Sequence, residues 1–268
     1  MSDKAMAVIG KLLRKAEQTS SSDEADALMA KAQEWATKYS IDLARARYAD
    51  SQSQARELVE ERTFTIGRPR QRHVVALRKL YTVVAQVNDI EVLMRGGESE
   101  VYPIGMPSDL EATEALYRSL VVQMVAAADR WVESGEHRSM ERIVRRGRAV
   151  VREPLHSSTA RGVFYDGYIH RIQVRLQQAR DEVFARELAE ESVGGWEHAA
   201  AGRELSSTAL ALRAKSEEVS DFIAQKYPRV GVRRQQAKHA GQFTEQIRAA
   251  GRAAADRASL GGQQALPG

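Results

Sequence analysis

The sequence predicts a mainly helical α+β fold: an N-terminal helical hairpin followed by a small antiparallel sheet covered by long helices. Apolar residues recur at helical spacing over most of the chain, and β-branched or alternating runs are confined to the stretch between residues 58 and 104. Gly, Pro and Asn at the ends of those runs supply the boundaries.

From the N-terminus, Met6, Ile9, Leu12, Leu13 and Ala16 share one stripe of a helix over Lys4 to Ala16, with Lys4, Lys11, Arg14 and Lys15 mostly off it. A Ser-rich turn leads to a second helix over Ser22 to Tyr39. Ser21 is placed to cap it, Glu24 to complete a capping box, and Ala25, Leu28, Met29, Ala32, Trp35, Ala36 and Tyr39 to face the first helix. Ser40-Ile41-Asp42 reads as a turn into a short helix ending near Tyr48, and Asp50 to Gln54 as a polar linker. The chain is thereby expected to hold a helical domain over 1–50, an α+β domain over 55–258 and a disordered tail over 259–268.

Leu58 to Ile66 reads as a strand, stopped by Gly67 and Pro69. Val74, Leu77, Leu80, Tyr81 and Val84 give a helix over His73 to Val87, which Asn88-Asp89 ends. Ile90 to Arg95 and Glu100 to Ile104 form a hairpin around Gly96-Gly97-Glu98-Ser99. Ser108 is the expected N-cap of a helix running to about Val132, with Asp109 and Glu111 suiting the positive end of its dipole. The spacing allows a helix over His137 to Arg152, with Pro154 and Ser157-Ser158-Thr159 marking a break. Phe164 to Leu188 predicts a long helix, Ser192 to Gly202 a loop, Leu205 to Tyr227 a further helix closed by Pro228, and Gln242 to Ala258 the last helix.

With 268 residues, 43% of them hydrophobic, the chain can bury a sizeable core. Lys and Arg total 40 against 36 acidic residues, so nucleic-acid binding would have to rely on local clusters rather than on bulk charge. The absence of cysteine excludes disulfides, thiolate catalysis and cysteine-ligated metal centres. No apolar run approaches the roughly 18 residues that span a bilayer. No signal-peptide core is present either, and a soluble cytoplasmic protein without a membrane partner is expected.

The run VIGKLLRKAEQTSSSDEADALMAKAQEWATKYSID resembles the DUF2786 family of bacteria and their phages, over roughly residues 4 to 45. Lys11-Leu12-Leu13, Ala16-Glu17, Asp23-Glu24-Ala25, Ala30-Lys31-Ala32-Gln33-Glu34 and Lys38-Tyr39 carry the resemblance. Where many members have Gly after that Tyr, this chain has Ser40, which implies a differently capped helix end. YPIGMPSDLEATEALYRSL and FYDGYIHRI are similar to the region that accompanies the domain. The resemblance implies a helical fold and a bacterial or phage setting, and it transfers no catalytic residue.

The strongest functional pattern is arginine clustering. Arg138, Arg142, Arg145, Arg146, Arg148 and Arg152 form the main group; in a helix Arg138, Arg142, Arg145 and Arg152 would share one face. Arg68, Arg70 and Arg72 form a second group, and Arg233, Arg234 and Lys238 a third, extended by Lys226 and Arg229. Converging in the fold, such groups would bind DNA or RNA mainly through phosphate, with Tyr165, Tyr168 or Tyr227 available for stacking. The alternative for each cluster is a solvated face balanced by Glu133, Glu136, Glu141 and Glu153.

Enzymatic signatures are missing. His73, His137, His156, His170, His198 and His239 show no metal-ligand spacing, and Gly96-Gly97 and Gly194-Gly195 lack the Lys-Ser/Thr of a phosphate loop. Ser157-Ser158 beside His156 has no nucleophile elbow. Glu60-Glu61, Asp181-Glu182 and Glu190-Glu191 read as surface charge. No cofactor is expected. The leading reading is a bacterial or phage accessory protein that binds nucleic acid. A protein-interaction or structural module docking through the N-terminal hairpin is the alternative, and an enzyme with a site assembled from distant residues the third.

Overall fold

The structure, a computed structural model, describes residues 2–19, 22–49, 58–68, 71–94, 99–139, 141–146, 149–194, 207–228 and 242–256. Among them the chain runs α1 (Ser2–Gln18), α2 (Ser22–Ala49), β1 (Glu60–Glu61), β2 (Phe64–Thr65), α3 (Val74–Val87), β3 (Glu91–Leu93), β4 (Glu100–Gly105) and α4 (Pro107–Glu133). A 3-10 turn (Glu136–Ser139), β5 (Glu141–Arg146), β6 (Ala149–Pro154), α5 (Ser157–Gly194), α6 (Ser207–Lys226) and α7 (Gln242–Asp256) follow. The expected class, mainly helical with a small antiparallel sheet, is the one found. The linker at 50–54, Ser21 and the tail at 259–268 lie outside the described residues.

β4 is the centre of the first sheet. Ile104 pairs with Glu61 on one side and with Glu91 on the other, while Phe64 and Thr65 continue the first side against Val101 and Glu100. The single strand expected over Leu58 to Ile66 is thus two short strands on one edge. Backbone bonds from Arg62 N to Pro103 O and from Ile66 N to Ser99 O bridge the gap.

Below the sheet, the apolar stripe of α1 (Ile9, Leu13, Ala16) and the small residues Ala32 and Ala36 of α2 join one buried core with Leu80, Tyr81 and Val84 of α3. Leu110, Leu116, Tyr117, Leu120 and Met124 of α4 and Phe164, Tyr168 and Ile172 of α5 complete it. Each large apolar side chain buried there stabilises the fold by about 1.5–3 kcal/mol. Phe64, Tyr81 and Tyr117 stack and meet edge-on within it, with ring centroids 4.9 to 5.6 Å apart.

Several boundaries differ from expectation for identifiable reasons. α2 continues through Ser40 without a turn because Ile41 and Ala44 prolong its buried stripe, so no different cap is needed there. Glu24 accepts from Thr19 Oγ1 at 2.7 Å and pairs with Lys15 at 3.0 Å. α4 begins at Pro107 rather than after Ser108, since proline's fixed φ suits the first helical position and Met106 takes the cap. α5 opens at Ser157, so the Ser-Ser-Thr run is its first turn, not a break. His156 caps it: the Ser158 backbone N–H donates to His156 Nδ1 at 3.2 Å, and the His156 carbonyl accepts from Thr159 and Ala160. α5 also runs past Leu188 to Gly194, into the stretch expected as a loop.

The largest departure is at 137–152, where the helix reading gives way to a 3-10 turn and the β5–β6 hairpin. Ile143-Val144 and Val150-Val151 place two β-branched pairs opposite each other, with Val144 in register with Val151. That preference outweighs the helix propensity of the intervening arginines.

α5 and α7 cross with no side chain between them. A Cβ on Gly167 would collide with the Arg248 backbone, and one on Gly251 with the Phe164 carbonyl. Beyond this crossing Arg171 pairs with Asp256 and Arg175 donates to the Ala255 carbonyl, C-terminal to it on both helices, so the two run parallel. Gly167→Ala or Gly251→Ala is expected to destabilise the protein by about 1–3 kcal/mol through overpacking, read as a lower urea midpoint. Gly162→Ala, whose Cβ would meet only the His73 ring at 3.8 Å, is the control that should hold or raise the midpoint.

Candidate nucleic-acid interface

The arginine segments are positioned by the first turns of α5. Both roots of the β5–β6 hairpin are fixed to the body. At one, Trp131 Nε1 donates to Glu136 Oε2 at 3.1 Å and the buried His137 ring lies 6.0 Å from the Trp131 ring. At the other, Pro154 is two residues from the His156 cap. Between these roots the strands pair with one another over six residues each, and among the described residues no other element packs extensively on them.

The register decides what this hairpin presents. Arg142 is opposite Glu153 and Arg146 opposite Ala149, while Arg145 is opposite Val150 and Arg152 opposite Ile143. Cross-strand partners share a face and successive residues alternate, so positions 142 and 146 fall on one face and 145 and 152 on the other. The single basic face expected of a helix is replaced by a ribbon with arginine positions on both sides. Arg138, in the 3-10 turn, is exposed at its base.

The second cluster comes to the same end. Arg68 and Arg72 are exposed on the loop before α3, and His73 caps α3 in the left-handed region at φ 63°. The His73 ring meets Tyr165 of α5 edge-on, with centroids 5.4 Å apart. Arg161, one turn earlier on α5, pairs with Asp129 of α4. Desolvation pushes the His73 pKa down, and the Arg161 and Arg72 charges add to the shift. His137 shifts the same way, through burial first and then Arg138 and His156.

Arg70, Arg148, Arg233, Arg234 and Lys238 lie outside the described residues. α7, which follows the last three, runs parallel to α5 and so begins towards this end. Of the tyrosines expected to stack on bases, Tyr165 and Tyr168 are buried; Tyr227 is half-buried and donates its hydroxyl to Glu61 Oε2 at 2.6 Å.

A polar centre of another kind went unnoticed in the sequence. Lys215 of α6, its side chain 2% exposed, places Nζ 2.8 Å from Asp109 Oδ2 at the start of α4 and 3.2 Å from Asp89 Oδ2 at the end of α3. Lys215 Nζ also donates to Ser40 Oγ of α2 at 2.8 Å. Arg180 of α5 pairs with Asp89 and donates to the Val87 carbonyl at 2.9 Å, closing the C-terminus of α3. The available signal was periodic: Thr208, Ala211, Lys215 and Val219 are all buried on one stripe of α6, with a lysine at its middle.

Serine beside a buried lysine resembles a nucleophile with its base, but that chemistry requires a neutral amine. Burial alone would pull the Lys215 pKa down; the Asp109 and Asp89 carboxylates more than reverse this, leaving it raised and the ammonium protonated. The centre is therefore a fastener. Among the described residues no group of three His, Asp or Glu side chains is arranged to hold a metal, and no helix is long and apolar enough to cross a membrane.

These elements define a helical α+β protein carrying an arginine-rich β-ribbon. Residues 4–43, spanning most of α1 and α2, match the family described as "Protein of unknown function (DUF2786)". No curated protein and no solved structure matches the chain.

Lys215→Met is expected to cost about 3–5 kcal/mol in chemical denaturation, because it strands the buried Asp109 carboxylate while Asp89 keeps Arg180. Adding Asp109→Asn should recover much of that loss. For His73 the sign is that of a base with a depressed folded pKa: its contribution is complete above the ordinary value of 6.5 and is lost as pH falls through the folded value. The urea midpoint should fall on acidification from about pH 7 to pH 5. His73→Asn, which keeps a residue tolerant of left-handed φ, should flatten that slope.

Proposed function

We propose that this chain binds nucleic acid, mainly through phosphate contacts from arginines, as an accessory protein of a bacterium or a phage. The observation that carries the reading is the gathering of the Arg68–Arg72 loop, Arg138 and the β5–β6 ribbon at the end of the fold where α5 begins. Guanidinium groups bind phosphate bidentately and keep their charge at any physiological pH. The N-terminal hairpin, by contrast, buries its apolar stripe in the chain's own core, which leaves the solvent face bearing Lys31, Trp35 and Lys38 as its outer surface.

A second reading, a protein-interaction module, draws on an open cleft of about 600 Å³ between β2 and α4. Phe64, Tyr117, Val121 and Val122 line it, with Arg118 over the Phe64 ring at 5.5 Å. It sits beside β2, whose edge away from β4 carries no strand among the described residues, a place where an extended segment can add backbone hydrogen bonds.

Titration of fluorescent oligonucleotides at several salt concentrations separates the two. Neutralising about four phosphates predicts a log–log salt slope of roughly −3.6. The combined replacement of Arg142, Arg145 and Arg146 by Glu should weaken binding at least about tenfold. Arg213→Ala, on the exposed side of α6, should leave it unchanged. Absence of binding at low salt would rule the first reading out.

A further inference from the structure

We infer that the nucleic acid is double-stranded DNA and that the β5–β6 ribbon enters its major groove. This rests on the nucleic-acid reading above and specifies its partner. Two paired strands of six residues make a ribbon roughly 20 Å long. The major groove of B-form DNA, about 12 Å wide, admits such a ribbon. The A-form groove of an RNA duplex is too deep and narrow for side chains to read.

The register supports an enclosing partner. A hairpin meant to lie on a protein surface carries one apolar face and one polar face. Here Arg142, Val144 and Arg146 share a face with Ala149, Val151 and Glu153, whereas Glu141, Ile143 and Arg145 share the other with Val150, Arg152 and Pro154. Each face mixes two arginine positions with apolar ones, so neither is set aside for a core. A groove offers phosphate on both walls and base edges on its floor, which matches arginines distributed on both sides.

Single strands are the weaker fit. Sequence-tolerant binding of unpaired bases depends on exposed aromatic platforms. At this end of the fold Trp131, Phe164, Tyr165 and Tyr168 are each buried and offer no such platform. The ribbon is also anchored at both roots, by the Trp131–Glu136 bond and by the His156 cap. It therefore loses little freedom on entering a groove.

The test compares a blunt mixed-sequence 24-base-pair DNA duplex, the RNA duplex of the same sequence and the single DNA strand, by anisotropy at one low salt concentration. The expected result is binding to the DNA duplex about tenfold or more tighter than to either of the others. Methyl green, a major-groove ligand, should compete, and netropsin, a minor-groove ligand, should not. Glu141 and Pro154 are register partners, so residues 142–153 can be replaced by a short Gly-rich turn. That variant should keep its melting temperature and lose the duplex preference. If it does not fold, the pairs Arg142→Ala with Arg146→Ala and Arg145→Ala with Arg152→Ala serve instead, each weakening duplex binding. Equal affinity for all three nucleic acids, or displacement by netropsin alone, overturns this inference while the broader reading stands. Binding to none of them overturns both.

Discussion

One ammonium group holds the two ends of the central sheet in place. Asp89 lies two residues before β3 and Asp109 four residues after β4, in the first turn of α4, and Lys215 pairs with both. The same group reaches Ser40, so α2 is tied to the junction as well. Burying three charges is costly, and an apolar substitute of equal volume would often serve stability as well or better. The ion cluster specifies geometry instead. Only one placement of α6 brings its lysine between the C-terminus of α3 and the N-terminus of α4, and the dipoles there favour Asp109 at the start of α4 and close the end of α3 with Arg180.

α6 depends on such contacts to an unusual degree. Its buried apolar residues are small, Ala211 and Val219, and the rest of its attachment is polar. Thr208 accepts from Arg45 Nε at 2.7 Å, while Arg45 also binds the buried Glu187 of α5 at 2.9 Å. At the far end Glu61 of β1 pairs with Lys226 at 2.9 Å and accepts from Tyr227. The opposite strategy governs α7, which lies backbone to backbone on α5 through Gly167 and Gly251 and needs no ion in the crossing itself. Directional contacts thus locate one C-terminal helix, and van der Waals contact at minimal separation locates the other.

Much of this arrangement was legible in the sequence. Wherever one physical signal dominated, as in the stripes of α1 and α3 or the pairing of β3 with β4, the element is where the residues put it. The segment over 137–152 was not legible because two signals compete there. Arginine favours helix mildly, and the spacing of four of the six arginines fits a helical face, while Ile143-Val144 and Val150-Val151 favour a pair of strands. Long-range pairing resolves the conflict, and it is invisible locally. The same holds for Ser40 and for Asp89: each looks like a turn or helix-end residue until α6, more than a hundred residues away, supplies the lysine that it meets. The loss of Tyr165 and Tyr168 as stacking groups has a simpler origin, since an aromatic on a long helix is usually buried.

The modest net charge of +4 is compatible with a basic ribbon because many acidic groups are paired within the body. Asp89, Asp129, Asp166, Glu187 and Asp256 each neutralise a Lys or Arg carried by another element. Those pairs lie on α2, α3, α4, α5, α7 and the turn after α3, and none involves a residue of the hairpin strands. The ribbon itself holds four arginines against two glutamates over its twelve paired positions. Bulk charge governs solubility and weak attraction; the field that draws in a phosphate chain is set by local density within about a Debye length, roughly 8 Å at physiological salt. A two-stranded arm rooted on a body whose charges are largely paired concentrates that density more effectively than the same arginines would on a helix packed against it. The change from helix to ribbon therefore distributes the arginine positions over both faces of a two-stranded element instead of gathering them on one.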